Sequence, residues 1–337
     1  MIETNSKPKI VVIGAGAIGS LVGGLLAQAG EDVTLIGRHD HVEAISTNGL
    51  RIEGVLGPLT VPVHAAEALD FHPDLALLAV KTQDVETALR PIRVYLEKAP
   101  IVTLQNGVRS DEIVASLLPE ENIISGVVMF NVQFLQPGQI TYARRGSLVI
   151  GEAFGENGQR ARDIQALLNR AVATTISDDI LAARWTKLLV NNLANGLEAM
   201  TGLPARESLS FPGLRKISIL VLQEGYRTVR KAGIRLAALP GIPMPFILFI
   251  IRSPLQVSDL GLRAYTRSLK TLSSTLQSLR RGRPTEIDYL NGEIARLGQQ
   301  VGMATPYNTK VVELVKEVEK SHRYYPPDEL VPRFASS

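Results

Sequence analysis

The sequence contains no cysteine. This absence excludes disulfide bonds, thiolate nucleophiles, iron–sulfur clusters and cysteine-ligated zinc, and it fits a protein of a reducing compartment. Histidines are present, but none shows the spacing of a helical zinc-binding motif. His39 and His41 are close in sequence, and we interpret them as surface-loop residues rather than metal ligands. We therefore predict that the protein has no metal centre.

The sequence also has little excess of one charge and no long hydrophobic run. Lys and Arg total 36 against 33 for Asp and Glu, a difference too small to indicate nucleic-acid binding. The most apolar stretch, FILFII at 246–251, is far shorter than the ~20 residues that cross a bilayer, and it fits a buried helix or a subunit contact. The N-terminal MIETNSKPK has no signal-peptide architecture. We expect a cytoplasmic protein without membrane or nucleic-acid partners, and a homodimer is one expectation for its assembly.

The first half of the chain alternates short apolar runs with segments of helical periodicity. The apolar runs are KIVVIGAG, DVTLIGR, DLALLAVK and APIVTLQNG, whereas AIGSLVGGLLAQAG and QDVETALRPIRVYLEK have helical spacing. Strands that alternate with helices predict a parallel sheet covered on both faces. From about residue 123 the runs become short and are separated by turn signals, which predicts added strands or a hairpin that extends the sheet.

The β signal fades after about residue 178, and the following segments have helical periodicity. The predicted fold class is an α/β N-terminal Rossmann-type dinucleotide-binding domain followed by an all-α C-terminal domain. We place the first domain at residues 1–178, and a helical domain for substrate binding and catalysis at 179–325. Residues 326–337 form a proline-rich tail that we expect to bury little apolar surface.

A glycine-rich turn, GAGAIG, lies between the first strand and the first helix. Gly14 allows a tight turn, Gly16 lets the backbone approach a pyrophosphate, and Gly19 lets helix and strand pack closely. The N-terminal amides of the helix then meet the phosphates. An ordinary glycine-rich turn is the alternative, but the strand–turn–helix context favours dinucleotide binding. The residues of this turn assigned to cofactor binding are Gly14, Ala15, Gly16, Ala17, Ile18 and Gly19.

The end of the second strand, TLIGRHD, indicates which dinucleotide is bound. A site specific for NAD places an acidic residue here, where it binds the ribose 2′-hydroxyl. This chain has Gly37 followed by Arg38, and a guanidinium suits a 2′-phosphate through paired charge-assisted hydrogen bonds. We therefore predict that Arg38 binds NADP(H). The alternatives are that Arg38 is merely exposed, or that Asp40 takes the acidic role.

Two further strands end in polar residues. AVKTQD places Lys81 and Gln83 after one strand, and LQNG places Asn106 after another. Because ligands bind at the carboxyl ends of parallel strands, these residues are candidates for cofactor contacts, and Asn106 for substrate as well. The alternatives are a solvated lysine at a strand end and an asparagine that serves only the turn, since Asn-Gly favours turns.

Residues 185–197 have the spacing of a helix with two different faces. The apolar face is predicted to consist of Trp185, Leu189, Leu193 and Leu197. Lys187, Asn191 and Asn195 also recur every four residues, offset by ~200° from that stripe at ~100° per residue. Asparagine is a poor helix former, which favours a functional reason for this polar row over a plain solvent face. Asn192 falls off the row and has no functional account.

A second helix is predicted to begin at Pro284 and to carry Glu286 near its start. The apolar positions that face the core in this prediction are Ile287, Leu290, Ile294 and Leu297. Glu286 is a candidate site residue, and the alternative is an acidic residue that only stabilises the positive end of the helix dipole.

Together these motifs resemble the ketopantoate reductase (2-dehydropantoate 2-reductase) family. In chain order they are GAGAIG, VKTQD, LQNG, WTKLLVNNLANGLEAMTG and TEIDYLNG, and the resemblance runs from about residue 8 to 320. It implies a Rossmann domain followed by a helical domain, with the active site in the cleft between them. It also implies reduction of ketopantoate to pantoate with NADPH, on the pantothenate route to coenzyme A.

Carried over by position, the resemblance implies roles for individual residues. Lys187 matches the catalytic lysine, and Glu286 matches an acidic residue that helps to bind substrate and supports catalysis. The substrate-binding residues that it implies are Asn106, Asn191, Asn195 and Ser274, of which Asn106 also contacts the cofactor. The chain departs from the family in 235–272, which is unusually apolar, and at Thr271, where some members have asparagine.

Reduction of a 2-oxo acid requires a group that protonates the developing alkoxide. Lys187 can supply this proton, because desolvation lowers the pKa of a lysine from ~10.4 toward a useful range, and its charge would polarise the ketone. Two alternatives to ketopantoate reduction remain. One is an NADP-dependent reductase of another 2-oxo acid, and the other is a sensor that binds NADPH without catalysis.

Overall fold

The computed structural model describes residues 7–265 and 272–335. The chain forms two compact units, Met1–Leu181 and Ala182–Ser337, which we call the N-terminal unit and the C-terminal unit. The division lies close to the boundary that the sequence predicts after residue 178. Thr271, the position of one departure from the family, lies outside the described residues.

The N-terminal unit contains two β-sheets. Its strands are β1 (Lys9–Ile13), β2 (Asp32–Ile36), β3 (Leu50–Gly54), β4 (Leu59–Val61), β5 (His64–Ala66), β6 (Leu75–Leu78), β7 (Ile101–Thr103), β8 (Ile123–Val128), β9 (Asn131–Gln136), β10 (Gln139–Arg144), β11 (Leu148–Glu152) and β12 (Thr174–Ile176). Within the described residues, the larger sheet has eight strands in the order β12-β11-β8-β7-β6-β1-β2-β5. The smaller sheet has the order β4-β3-β10-β9.

The predicted parallel sheet is confirmed. The strands from β8 through β5 in that order run parallel, whereas β11 is antiparallel to β8. In β1, Ile10 and Val12 belong to one apolar cluster, and Val11 and Ile13 belong to another. Successive side chains of a strand point to opposite faces, so this run is apolar throughout because both faces of the sheet are covered.

The helices of the N-terminal unit are α1 (Ala17–Gln28), α2 (His39–Asn48), α3 (Val85–Leu89), α4 (Arg93–Leu96), α5 (Ser110–Ala115) and α6 (Gln159–Leu168). The helix predicted for QDVETALRPIRVYLEK is broken into short pieces, since α3 and α4 are separated by the 3-10 turn Arg90–Ile92. Pro91 lies in that turn, and its missing N–H and bulky ring interrupt an α-helix.

The predicted β extension after residue 123 is only partly right. β8 and β11 do extend the larger sheet. However, the β9–β10 hairpin pairs with β3, in the smaller sheet. The sequence does not show this pairing because β3 and β10 are distant in the chain, and their short runs do not indicate which sheet they join.

The C-terminal unit is helical. Its helices are α7 (Ile180–Asn192), α8 (Asn195–Thr201), α9 (Ala205–Ser208), α10 (Pro212–Lys231), α11 (Met244–Arg252), α12 (Leu255–Tyr265), α13 (Ser274–Arg280), α14 (Asn291–Gln300), α15 (Pro306–Ser321) and α16 (Pro327–Leu330). The apolar stretch 246–251 lies in α11, where Ile247, Ile250 and Ile251 are buried. In the part of the chain that the structure describes, no helix combines the length and the apolar character needed to cross a membrane.

The expectation that the C-terminal tail buries little apolar surface is wrong. Residues 326–335 form α16 and the 3-10 turn Val331–Phe334. Leu330 and Phe334 are buried, as is Tyr325 just before them. The tail sequence is rich in proline, but Pro327 stands in the first turn of α16, where proline is compatible with a helix.

Candidate active site

Four neighbouring parallel strands bring the predicted cofactor residues to one edge of the larger sheet. β7, β6, β1 and β2 are adjacent in this order. Gly14 follows β1, and Arg38 lies just after β2. Lys81 and Asn106 follow β6 and β7 at the same edge. The shared edge agrees with the prediction from the sequence, whereas the roles of these residues stay predictions.

The glycine-rich turn has the geometry that its three glycines predict. Gly14 has a φ of +102°, and a Cβ there would lie 2.6 Å from the backbone nitrogen of Val80. A Cβ on Gly19 would lie 2.3 Å from the carbonyl oxygen of Gly14. Gly16 differs, since nothing within the described residues lies within 4 Å of its Cβ position. Two glycines are therefore required by packing, and the third leaves open space beside the backbone.

The turn is also tied to the neighbouring strand. The N–H groups of Gly14 and Ala15 donate to the carbonyl of Ile36 at 3.1 and 2.8 Å. Ala15 is buried, and Ala17 and Ile18 pack partly buried against the core. These contacts set the start of α1, whose first N–H groups have no partner within the helix. The turn can therefore present backbone amides to an anion.

Arg38 is exposed at the N-terminal cap of α2, directly beyond β2. A Cβ on the preceding Gly37 would lie 3.0 Å from the Cβ of Ala15. An acidic side chain at position 37 would therefore press against the glycine-rich turn. Asp40 is exposed in the first turn of α2, where it interacts favourably with the helix dipole. Arg38 is therefore the first charged residue along the chain after β2.

Lys81, Gln83 and Asn106 are half-buried on two adjacent loops. Lys81 caps the 3-10 turn Thr82–Asp84. The hydroxyl of Thr82 donates to the backbone carbonyl of Asn106 at 3.2 Å. The two loops that the sequence singles out separately are thus linked directly.

Gln105 supports both loops, a role that the sequence motifs do not indicate. It is buried, and its Nε2 donates to the carbonyl of Leu78 at 2.8 Å and to that of Val80 at 3.1 Å. The side chain therefore joins the end of β7 to the end of β6. Gln105 directly precedes Asn106, and Val80, whose carbonyl it binds, directly precedes Lys81. The signal was present in LQNG, but only the structure shows which backbone carbonyls the amide reaches.

The expectation that His41 is a surface-loop residue is wrong. His39 is exposed, but His41 is buried in α2. Its Nδ1 accepts from the backbone N–H of Gly138 at 2.9 Å, and its Nε2 lies 3.0 Å from the hydroxyl of Ser20 in α1. Burial lowers the pKa of His41 from its ordinary 6.5 to about 4. The neutral ring links α1, α2 and the β9–β10 hairpin.

The helix that carries the lysine and asparagine row is broken. α7 ends at Asn192 and α8 begins at Asn195, so the single continuous helix assumed for 185–197 is wrong. The N–H groups of Leu193 and Ala194 donate to carbonyls three residues earlier, at 3.3 Å. The hydroxyl of Ser218 in α10 donates to the carbonyl of Leu193. The poor helix propensity of asparagine and this distant hydroxyl together account for the interruption.

The two faces predicted for this segment nevertheless differ in burial. The predicted apolar positions are all buried, and they are Trp185, Leu189, Leu193 and Leu197. Lys187, Asn191 and Asn195 are half-buried. The polar row is therefore partly accessible, as a row of substrate-binding side chains must be.

Asn192, which the sequence left without a role, is only 3 % exposed. In the described part of the chain, neither its amide nitrogen nor its amide oxygen has a hydrogen-bond partner. A buried amide without partners costs free energy. We have no physical account of this residue.

Glu286 does not lie in a helix that begins at Pro284. It is half-buried and precedes the 3-10 turn Ile287–Tyr289, and α14 begins only at Asn291. The backbone N–H of Thr285 donates to the carboxylate of Glu319 at 2.7 Å. This contact ties the segment before Glu286 to α15. The predicted core positions of the segment are buried as expected, namely Ile287, Leu290, Ile294 and Leu297.

Ser274 is exposed and is the first residue of α13. Ser273 caps this helix, because its hydroxyl oxygen accepts from the N–H of Leu276 at 3.2 Å. The start of α13 is thus fixed by a serine cap, and the hydroxyl of Ser274 lies at a helix N-terminus. Over residues 7–265 and 272–335, no group of three or more His, Asp or Glu side chains could hold a metal ion.

Both parts of the chain match models of one protein family. Residues 10–155 match the family described as ketopantoate reductase PanE/ApbA, and residues 179–319 match the C-terminal region of the same family. A curated 2-dehydropantoate 2-reductase from Pyrococcus horikoshii is 31% identical over 313 residues, covering 92% of this chain and 97% of that protein.

Solved structures show the same similarity. A PanE/ApbA family ketopantoate reductase from Ralstonia eutropha is 32% identical with a TM-score of 0.79, covering 93% of this chain and 99% of the other. A D-mandelate dehydrogenase in a ternary structure with NADH and anilino(oxo)acetate is 27% identical with a TM-score of 0.80, again covering 93% and 99%. The two family matches and these relatives together show that the chain belongs to the ketopantoate reductase PanE/ApbA family of NADP-dependent oxidoreductases.

Proposed function

We propose that the protein reduces 2-dehydropantoate (ketopantoate) to pantoate with NADPH, and so acts in pantothenate and coenzyme A biosynthesis. The observation that carries this proposal is a difference in burial along α7 and the start of α8: Lys187, Asn191 and Asn195 are half-buried, whereas the predicted apolar positions of the same segment are buried. A surface helix without a function would carry better helix formers than asparagine at these positions. The names of the curated relatives support the choice of substrate.

In the proposed reaction, hydride passes from NADPH to the 2-oxo carbon, and the oxygen takes up a proton. Lys187 donates this proton, and its positive charge stabilises the alkoxide as it forms. Asn191 and Asn195 donate and accept hydrogen bonds with the oxygens of the substrate. Glu286 orients the lysine or the substrate hydroxyl, and Ser274 binds the substrate carboxylate.

The N-terminal unit supplies the cofactor side of the proposal. The amides of the glycine-rich turn would hold the pyrophosphate. The exposed guanidinium of Arg38 would hold the 2′-phosphate of NADPH. Because position 37 is a glycine, no carboxylate is present there to bind a ribose 2′-hydroxyl, and this favours NADPH over NADH. Lys81 and Gln83 would contact the cofactor from the next strand end, and Asn106 would contact both cofactor and substrate.

The proposal is tested by the rate of NADPH oxidation with different 2-oxo acids. We expect turnover with ketopantoate and a much lower rate when NADH replaces NADPH. 2-Oxoisovalerate lacks the terminal hydroxyl of ketopantoate, so a site built to bind that hydroxyl would reject it by up to about 10⁴-fold in kcat/KM. Equal rates with the two 2-oxo acids would contradict the assigned substrate.

A second candidate is the reduction of another 2-oxo acid. The D-mandelate dehydrogenase relative, whose structure holds anilino(oxo)acetate, is as similar in fold as the ketopantoate reductase from Ralstonia eutropha. This favours a test of 2-oxo acids with an aromatic substituent beside ketopantoate. A higher kcat/KM for phenylglyoxylate than for ketopantoate would select this second function.

Cytoplasmic location, homodimerisation and the absence of nucleic-acid partners stay predictions from the sequence. Size-exclusion chromatography with light scattering would measure the mass of the assembly in solution. A monomeric mass at assay concentration would contradict the expected homodimer.

A further inference from the structure

Glu198 is a buried carboxylate to which the sequence motifs give no role. It lies in α8, one turn after Asn195, and is only 2 % exposed. Its Oε1 accepts from the backbone N–H of Ala205 at 3.1 Å, and its Oε2 accepts from the backbone N–H of Ser273 at 2.8 Å. These two N–H groups stand at the starts of α9 and α13. One side chain therefore accepts hydrogen bonds from backbone amides at the starts of two helices.

Such a side chain would cost free energy if it were buried without partners. Burial raises the pKa of the Glu198 carboxyl, while the hydrogen bonds from Ser273 and Ala205 and the charge of Arg280 favour the ionised form. Hydrogen bonds between a carboxylate and backbone amides at helix N-termini are among the stronger ones in proteins. The two amides thus explain how a carboxylate is accommodated at this position.

A second contact ties the other end of α13 to the same helix. The guanidinium of Arg280, the last residue of α13, donates to the carbonyl of Gly202 at the C-terminal cap of α8, at 3.2 Å. α13 is therefore held on α8 at both ends. Asn195 and Glu198 are three residues apart and share a face of α8, so the residue that binds the start of α13 lies one helical turn along α8 from Asn195.

We propose that Glu198 is a positioning residue for the substrate site: by binding the amide of Ser273, it holds the hydroxyl of Ser274 in place relative to Asn195. This inference rests on the proposed function, in which Ser274 binds the substrate carboxylate. Glu198 itself contacts the backbone of α9 and α13, and its effect on the reaction passes through Ser274.

Glu224 provides a matched control for a role in stability alone. It is also buried, and its carboxylate accepts from the N–H groups of Tyr307 and Asn308 at 3.1 and 2.8 Å, at the start of α15. Like Glu198, it binds the amides at a helix N-terminus. The helix that it holds carries none of the residues assigned to the substrate, and Glu319, which binds the N–H of Thr285, lies at the opposite end of that helix from Tyr307 and Asn308.

The experiment compares Glu198→Gln with Glu224→Gln in the full-length protein. An amide retains one acceptor oxygen but turns its NH₂ toward the second backbone N–H, so Glu198→Gln should loosen the start of α13. We expect KM for ketopantoate to rise about tenfold, with kcat and the Kd of NADPH changed less than about twofold. Glu224→Gln should leave KM within about twofold, whatever its effect on thermal stability. Glu198→Asp is too short to reach both amides, and it should raise KM as Glu198→Gln does.

Hydrogen–deuterium exchange provides a readout that does not depend on activity. Peptides covering 272–280 should exchange faster in Glu198→Gln than in the unmodified protein, and should not do so in Glu224→Gln. If the protein does not reduce ketopantoate at all, the proposed function fails while this measurement still reports the contact. Unchanged exchange at 272–280 would overturn the positioning role even in an active reductase.

A double-mutant cycle decides whether Glu198 acts through Ser274. In the Ser274→Ala background, Glu198→Gln should raise KM by less than about twofold, because the group that it positions is gone. A rise equal to that in the unmodified protein would overturn the inference. So would an equal KM increase in Glu224→Gln, or a Ser274→Ala variant whose KM for ketopantoate is unchanged.

Discussion

The residues predicted to bind the cofactor and most of those predicted to bind the substrate lie in different units and on different kinds of element. In the N-terminal unit, the predicted cofactor residues lie on loops at strand ends, and the tightest constraints act on the backbone, at Gly14 and Gly19. In the C-terminal unit, three of the assigned residues, Lys187, Asn191 and Asn195, contribute side chains from α7 and α8. We therefore expect the N-terminal unit to be most sensitive to substitutions that add a Cβ to a glycine, and the C-terminal unit to substitutions that remove a functional group.

This difference follows from the chemistry that each unit is proposed to perform. A pyrophosphate is bound well by backbone amides at a helix N-terminus, which every residue can supply once the chain is close enough. Proton donation and recognition of a substrate hydroxyl need side-chain groups, and the helix that carries them is interrupted between Asn192 and Asn195. Mutations should therefore have effects of different kinds in the two units.

The largest effect should come from the side chain of Lys187. Replacement by alanine removes the proposed proton donor and should lower kcat by about 10²- to 10⁴-fold, as measured by NADPH oxidation with ketopantoate. The Kd of NADPH, measured by nicotinamide fluorescence, should change by less than about threefold, because the cofactor residues lie in the N-terminal unit. The exposed Lys320 in α15 is a control, and Lys320→Ala should retain full turnover. Retained turnover in Lys187→Ala would contradict the assignment.

The next effect should come from adding a single carbon to the glycine-rich turn. Gly14→Ala places a Cβ 2.6 Å from the backbone nitrogen of Val80 at a φ of +102°, so it should lower the free energy of unfolding by about 2–4 kcal/mol. In Gly16→Ala the added Cβ meets open space, so this variant should keep the stability of the unmodified protein. It should nevertheless weaken NADPH binding about tenfold, because the new methyl group occupies the approach to the pyrophosphate. Chemical denaturation and titration with NADPH measure the two quantities.

Equal destabilisation by Gly14→Ala and Gly16→Ala would contradict the view that packing requires a glycine at position 14 but not at position 16. Unchanged NADPH affinity in Gly16→Ala would remove this glycine from the proposed site. Each result would weaken the view that the N-terminal unit depends on where a Cβ is absent.

The sequence predicts most of the framework and only part of the site, and particular residues show why. The continuous apolar run KIVVI and the spacing of the glycines around Gly14 follow from local geometry, and the structure confirms the sheet and the turn. The break after Asn192 depends on a hydroxyl from Ser218, and the roles of Gln105 and Glu198 depend on backbone groups far along the chain. Periodicity reports which face of an element is buried, but it does not report which distant atoms meet there.

Substitution of Arg38 tests whether a side chain of the N-terminal unit determines the preference for NADPH over NADH. Arg38→Ala removes the guanidinium proposed for the 2′-phosphate and should raise the Kd of NADPH about tenfold, while the Kd of NADH changes by less than about twofold. Arg162 is exposed in α6 of the same unit, and Arg162→Ala should leave both values unchanged. An equal loss of affinity for NADPH and NADH would show that Arg38 does not recognise the phosphate.

The smallest effect concerns how the two units respond to acid. The pKa of His41 falls from 6.5 to about 4 on burial, so between these values the unfolded chain binds a proton that the folded N-terminal unit does not. Stability from this group is fully present above about pH 6.5 and is lost as the pH falls toward 4. At pH 5.5 we expect a loss of about 1 kcal/mol relative to pH 7. Hydrogen exchange of peptides from β1 and β2 measures this loss.

Glu198 should act in the opposite direction in the C-terminal unit. Burial raises the pKa of its carboxyl, so its contribution to stability is present at low pH and is lost as the pH rises through the folded-state pKa. The fluorescence of Trp185, the single tryptophan of the chain, reports on this unit.

His41→Asn keeps an acceptor near Gly138 but does not titrate. It should therefore remove the loss of stability that hydrogen exchange detects in β1 and β2 at low pH, and leave the Trp185 transition unchanged. The exposed His72 is the control, because His72→Asn should preserve the response of both units, and an equal effect of the two variants would show that the burial of His41 does not set this difference.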